Sequence, residues 1–325
     1  RRIVSHSPAR RRSLPMKDHV VVLTGGVGGA KFVLGLAQLM APSSLTAIVN
    51  VGDDFRHFGL HVSPDIDTLL YTLSGKANAV QGWGREGESW SFMQQVRSLG
   101  GEDWFALGDG DLALHVLRSE RLQRGHSLSR ITADFASGWG IKLSVLPASD
   151  QLVSTVVETD EGPLDFQHYF VARRCEPRVH AVRFDGADRA LPAPGVLEAI
   201  GNSKARAIFI APSNPYLSID PILAVPGIRE ALSSAHAPVV AISPVVGGKA
   251  VKGPTAKLMM ELGLPITPAT IAAHYAPLLD GLLKDERDPD SPLGVPYVSA
   301  DTLMLSLHDR IRVASAALDL ADRLV

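Results

Sequence analysis

The chain has 325 residues, 46% of them hydrophobic, which supplies a true core for one large domain and is too apolar for a disordered chain. A net charge of −2 offers no basic field to hold nucleic acid, and no apolar run approaches the roughly 18–20 residues that span a bilayer. The single cysteine, Cys175, excludes an internal disulfide and any multi-cysteine zinc site, and suits a reducing cytoplasm.

Residues 1–17 carry Arg1, Arg2, Arg10, Arg11, Arg12 and Lys17 with no acidic residue. A paired-arginine export signal would continue into an apolar core, and Ser13-Leu14-Pro15-Met16-Lys17-Asp18 is not one. The composition fits an organellar transit peptide only loosely. The segment is expected to be a disordered arm, or to precede a start at Met16, leaving residues 18–325 as a single domain.

From His19 to Thr24 the chain reads as a buried strand opening into Gly25-Gly26-Val27-Gly28-Gly29-Ala30-Lys31. Phe32, Val33, Leu36, Leu39 and Met40 then recur at helical spacing. Leu45 to Val51 is a second, mostly β-branched strand that ends at Gly52-Asp53-Asp54. Strand, helix and strand over about thirty residues make a βαβ unit, which is right-handed and parallel. Ligands of such sheets sit beyond the carboxyl ends of the strands, where both motifs fall. Pro64 opens a short helix that carries Asp65 and Asp67 in its first turn and closes near Gly75.

Residues 76–140 read as a mostly helical insertion and contain all four tryptophans, Trp83, Trp90, Trp104 and Trp139. Leu152–Val157 and 164–171 flank Asp160-Glu161-Gly162, a hairpin signal read as an antiparallel addition to the sheet. The βα alternation then resumes. Ala207–Ile210 leads into Ala211-Pro212-Ser213-Asn214-Pro215, and Val239–Ile242 leads into a loop containing Gly247, Gly248, Lys249 and Lys252. Helices are expected near 226–235, 254–262 and 307–323. The fold class is α/β, with a mostly parallel sheet, a helical insertion and a hairpin addition.

The glycine loop matches neither standard phosphate motif. Counted from Gly26 and Gly28, the last position of a dinucleotide fingerprint is Lys31, and the Ser or Thr of a P-loop is absent. Its bare backbone and helix dipole still favour an anion, although a tight turn also explains glycine there. Asp53 and Asp54 stand where a nicotinamide enzyme places its ribose-binding acid, and Asp65 and Asp67 also suit a helix N-terminus. Four carboxylates beside one anion-binding loop repel one another unless a cation is bound, and Mg2+ is the economical candidate. Ser213, Asn214 and the lysine-bearing loop serve equally as turn chemistry or as contacts for a base, a ribose or a diphosphate. The tryptophans read as core or as walls for a flat ring system. His115 and Arg118 share a helix face with no partner evident, and Asp109-Gly110-Asp111 lacks the later ligands of a calcium loop.

The succession Gly25–Phe32, Asn50–Asp54, Ser63–Thr68 and Ala211–Pro215 resembles the 2-phospho-L-lactate transferase family of coenzyme F-420 biosynthesis. Gly82-Trp83-Gly84, Leu107-Gly108-Asp109, Ser243–Gly247 and Ala300–Met304 add to the likeness, in order, from about residue 19 to the end. The resemblance implies a Rossmann-like homodimer that uses Mg2+. It implies a guanosine diphosphate ester of a three-carbon acid as donor, the deazaflavin Fo as acceptor and GMP as the leaving group. Carried over by position, Asp53, Asp65 and Asp67 would be catalytic and hold Mg2+. Gly25, Gly26, Gly28, Gly29 and Lys31 would cradle the diphosphate beside Asp54. Ser213, Asn214, Pro215, Gly247, Gly248 and Lys252 would hold the guanosine end. Where many members read Gly-Asp-Arg-Asp, this chain has Gly108-Asp109-Gly110-Asp111, so the acid stays open among lactate, enolpyruvate and glycerate. Two other readings remain: a nucleotide-sugar-binding regulator of the gluconeogenesis-factor branch, and an NAD(P)-dependent oxidoreductase.

Overall fold

The computed structural model describes residues 18–79, 81–250 and 253–325. The expectations for residues 1–17 and for Lys252 lie outside the described residues. The chain opens with β1 (His19–Thr24), α1 (Gly26–Leu39) and β2 (Leu45–Val49), the βαβ unit expected from the apolar pattern. A small antiparallel hairpin, β3 (Phe55–His57) and β4 (Leu60–Val62), precedes α2 (Pro64–Leu73). The insertion supplies α3 (Ser91–Ser98), α4 (Asp111–Gln123) and α5 (Leu128–Gly138), and β5 (Ser144–Pro147) follows. Next come β6 (Ser154–Thr159), β7 (Gly162–Asp165) and β8 (Val179–Asp185).

The alternation resumes with α6 (Val196–Ile200), β9 (Ala205–Ile210), α7 (Asp220–Leu223), α8 (Ile228–Ser233) and β10 (Val239–Ile242). A short hairpin of β11 (Val245–Val246) and β12 (Lys249–Ala250) leads to α9 (Thr255–Glu261) and α10 (Pro268–Tyr275). The chain closes with β13 (Gly281–Asp285), β14 (Tyr297–Ala300) and α11 (Leu307–Arg323).

Seven strands form the main sheet in the order β14-β13-β10-β9-β1-β2-β5, and every neighbouring pair is parallel. Strands are added outward from β1, first on one side and then on the other, so the winding reverses between β1 and β9. That reversal opens a crevice at the carboxyl ends of these two strands. β2 and β10 are buried along their whole length, as covered parallel strands must be, which accounts for their unbroken apolar runs. α1 lays Ala30, Phe32, Val33 and Leu36 into the core, where Phe32 meets Phe209 edge-on with ring centroids 5.6 Å apart.

The expected hairpin forms, but β6 and β7 do not join the main sheet. They pair with β8 in a separate three-stranded antiparallel sheet. The second arm is shorter than expected because Phe166 and Tyr169, three residues apart, are both buried and the chain winds into a π-helical turn at His168–Ala172. β5 was not expected; it ends in Pro147 and stands at the sheet edge, where the lost N–H is tolerated. Among the described residues no helix is long and apolar enough to cross a membrane.

α1 also crosses α11 closely: a Cβ at Gly35 would collide with the backbone oxygen of Arg310. Gly35→Ala is expected to lower stability by about 1–3 kcal/mol, read as a reduced melting temperature. An unchanged melting temperature would mean that the two helices can separate without cost.

Candidate active site

The loop between β1 and α1 is organised by its neighbours. Gly26 has φ of 64°, a left-handed conformation that glycine adopts freely, and its N–H donates to Asp65 Oδ1 at 2.8 Å. The Ser213 hydroxyl accepts from Gly25 N at 3.2 Å and donates to Gly25 O at 2.7 Å, joining the tips of β1 and β9 across the crevice. A Cβ at Gly28 would lie 2.6 Å from Pro212 O, and one at Gly29 would lie 2.6 Å from Ser213 Oγ. These glycines therefore let the start of α1 press against the loop after β9. α1 has no capping side chain and no acid in its own first turn; Asp65 of α2 supplies the negative charge there.

Asn50, just past β2, is fully buried and was not singled out by the sequence. Its Nδ2 donates to Asp53 Oδ1 at 2.8 Å and to Asp65 Oδ2 at 2.9 Å, and lies 3.3 Å from Leu217 O. Its Oδ1 accepts from Gly52 N at 2.7 Å, which fixes which end of the carboxamide faces the acids. Asp54 is held separately. Its Oδ2 accepts from Ser63 Oγ at 2.8 Å and from His61 Nε2 at 3.0 Å, while its Oδ1 is buried with no hydrogen-bond partner among the described residues. Burial first, and then the charge of Asp65, pushes the Asp53 carboxyl well above its ordinary value. Burial likewise raises Asp65 from 3.8 to about 6, against the hydrogen bonds from Asn50 and Gly26.

Asp67 does not join Asp53 and Asp65. Two residues along a helix is a rotation of about 200°, so Asp65 and Asp67 leave α2 on opposite sides. The Arg118 guanidinium of α4 grips Asp67 through both carboxylate oxygens, and both residues are buried. Burial works against the Arg118 charge, and Asp67 beside it more than compensates. Burial also draws the Asp67 carboxyl upward against the pull of Arg118 and His115. A carboxylate held through both oxygens by a guanidinium that keeps its proton is nonetheless the ionised form. This is the partner that the His115–Arg118 face lacked on sequence grounds.

Among the described residues, the set of three His, Cys, Asp or Glu residues whose ligand atoms all lie within 4.8 Å of one another is Asp67, Asp111 and His115. His115 Nε2 lies 3.1 Å from Asp111 Oδ2. Arg118 already meets the charge of Asp67 here, which disfavours a second cation. Among the described residues the Asp53–Asp65 pair has no such counterion.

The other expected contacts are distributed along the same edge. Lys31 Nζ donates to Met304 O at 2.8 Å, in the segment that leads to α11. Asn214 Oδ1 accepts from Tyr216 N and Leu217 N, capping a turn that begins at Pro215. Gly247 and Gly248, with φ of 58° and 71°, form the turn between β11 and β12, and Gly248 N donates to Asp288 Oδ1 at 2.8 Å. Trp104 packs near His168, with centroids 4.1 Å apart, and Trp139 against Tyr71 at 5.5 Å, whereas Trp83 is 61% exposed. A cavity of about 520 Å3 lies between α4 and α5, lined by Lys76, Arg85, Gly110, Arg121, Phe135 and Trp139; none of the strand-tip residues borders it. At its rim Arg85 occupies the space a Cβ at Gly110 would need, steadied by Glu88 at 3.2 Å, so a guanidinium stands beside position 110 despite the glycine.

The sequence profile of the family described as 2-phospho-L-lactate transferase CofD matches residues 20–316. A protein of Kitasatospora aureofaciens named phosphoenolpyruvate transferase is 42% identical over 316 residues, covering 94% of this chain and 98% of the relative. Proteins of the same name from Streptomyces griseus and Mycolicibacterium smegmatis are 42% and 38% identical, each covering 93% of this chain and 98% of the relative. Two crystal structures of a protein from Bacillus halodurans, described as a member of the upf0052 family, superpose with a TM-score of 0.62 at 22% and 23% identity. They cover 94% and 93% of this chain and 100% and 99% of the other, and are similar in fold alone. The profile match and the curated relatives together place this chain in the 2-phospho-L-lactate transferase CofD family, as a transferase of phosphate-containing groups.

Proposed function

We propose that the chain transfers a phosphoenolpyruvyl group from its guanosine diphosphate ester to the terminal ribityl hydroxyl of the deazaflavin Fo, releasing GMP, in coenzyme F-420 biosynthesis. The observation that carries the reading is the pair of buried carboxylates, Asp53 and Asp65, sharing one amide donor beside the start of α1 at the sheet's crevice. The choice of acid rests on the relatives at 42% identity, which are named phosphoenolpyruvate transferases. The homodimer rests on the family resemblance, and the cytoplasmic setting on the single cysteine.

The residues fit Mg2+. Asp53 and Asp65 are hard oxygen donors whose charges lack a counterion among the described residues, and Asp54 keeps a buried oxygen without a partner among them. Mg2+ commonly takes one or two carboxylates and completes its shell with substrate phosphate and water, so a two-carboxylate platform suffices. When bound, it would supply neutralisation of the diphosphate charge. The first-turn amides of α1 favour the same anion. Ser213, Asn214 and the loop after β10 bound the crevice where the guanosine end would lie. The hydroxyl oxygen bonds to the phosphorus that carries the acid, the anhydride bond to GMP breaks, and a carboxylate of the cluster takes the hydroxyl proton. Such a transfer relies on positioning and charge rather than on a covalent nucleophile.

Incubating the chain with Fo, Mg2+ and equal amounts of the lactyl, enolpyruvyl and glyceryl donors, followed by mass spectrometry, tests the reading. The enolpyruvyl product should dominate, and Asp53→Ala or Asp65→Ala should lower turnover by at least about 100-fold without unfolding the chain. Nucleotide-sugar binding with no Fo product from any donor would point to a regulator instead.

The raised carboxyls also predict a pH dependence. In chelator, the folded chain holds protons on Asp53 and Asp65 that the unfolded chain has released, so the stability they contribute is present below about pH 4. It is lost as pH rises from 3.8 through about 6, the folded value of Asp65. Melting temperatures over that window should therefore carry a falling contribution that Asp65→Asn removes; identical pH profiles for the two proteins would contradict it.

A further inference from the structure

The helical insertion reaches back under the carboxylate cluster through two consecutive residues of α4. Arg118, none of which is exposed, grips Asp67 on the side of α2 opposite Asp65. Asp65 is tied on its own side to Gly26 and Asn50, so the rotation of α2 about its axis is fixed from both sides. The same guanidinium donates from Nη1 to the His61 carbonyl at 3.3 Å. The neighbouring Ser119 hydroxyl accepts from His61 N at 2.7 Å and donates to His115 O at 2.6 Å. Both backbone polar groups of His61 are thus held by α4, while its imidazole holds Asp54 Oδ2.

We propose that Arg118, with Ser119, is a positioning residue that locks α2 and the β3–β4 hairpin together and so presets the divalent-cation affinity of the Asp53–Asp54–Asp65 cluster. The inference rests on the cation reading above and assigns part of that site's affinity to residues that touch neither cation nor substrate. Asp65 and Asp54 sit on two separate segments, one opening α2 and the other leading from β2 into β3. α4 contacts both: α2 through Asp67, and the His61 segment that orients Asp54. A small rotation of α2 or slippage of the hairpin would alter the spacing of the carboxylate oxygens, on which an oxygen-ligand site for a small dication depends. Outer groups that orient metal ligands typically set affinity by about 10–100-fold.

The test is direct binding of Mn2+, a spectroscopic substitute for Mg2+, followed by the electron paramagnetic resonance of free Mn2+ with no substrate present. Arg118→Lys keeps the charge but cannot grip both Asp67 oxygens and the His61 carbonyl together. Asp67→Asn/Arg118→Gln removes both charges at once, leaves no unpaired buried ion, and carries the test if the lysine variant fails to fold. Ser119→Ala removes the His61 N–H acceptor alone. The charge-pair variants should weaken Mn2+ binding by about 10-fold or more, and Ser119→Ala should weaken it less, with each chain still folded by circular dichroism. Wild-type affinity in the folded variants would overturn the positioning role while leaving the cation reading intact. Absence of Mn2+ binding by the wild-type chain would overturn the cation reading and this proposal with it.

Discussion

The buried carboxamide of Asn50 holds two carboxylates that would otherwise move apart. Its two N–H bonds go to Asp53 and Asp65, and its oxygen is occupied by the Gly52 amide, so the group cannot turn without losing all three contacts. Bringing two acids out of water beside each other disfavours the charged form of both, and the shared donor only partly offsets this. Because Asp65 also reaches Gly26 N, a single side chain ties together the tips of β1 and β2 and the start of α2. The crevice at the winding reversal therefore has a defined floor before any ligand arrives.

Charge is partitioned across α2. On one side Asp67 and Arg118 cancel within a buried ion pair; such a pair contributes geometry more than net stability, although deleting one partner typically costs about 3–5 kcal/mol. On the other side, among the described residues, the negative charge of Asp53, Asp54 and Asp65 is met by neutral donors and by His61. That asymmetry decides which cluster suits a cation. Asp67, Asp111 and His115 are the more compact set, but a guanidinium already occupies their field; the strand-tip acids have no such partner among the described residues. The helix dipole of α1 points the same way, favouring an anion adjacent to that cation.

Much of the architecture could be read from residue patterns. β1, α1, β2, α2 and α11 have long apolar runs or clear helical spacing, and they form close to their expected limits. β13 was hidden because Lys284 and Asp285 look like surface residues; both are buried, with Lys284 donating to Asp288 O and Asp285 accepting from Thr302. β14 is a four-residue edge strand with an exposed alternate pattern, too short to announce itself. At the site, the glycine loop and the acids were visible as a group. What sequence proximity concealed was direction: Asp65 and Asp67 look like neighbours on paper, and helical geometry sends them to different partners. Asn50 stands in the matched segment Asn50–Asp54 without an assigned role, because a single asparagine at a strand end carries no signal of what it will hold.

Anomalous diffraction from crystals grown with Mn2+ and GDP would test the central claim most directly. The account predicts a manganese peak bounded by Asp53 and Asp65, next to the β-phosphate at the start of α1. A peak enclosed by Asp67, Asp111 and His115, with the strand-tip carboxylates empty, would contradict it.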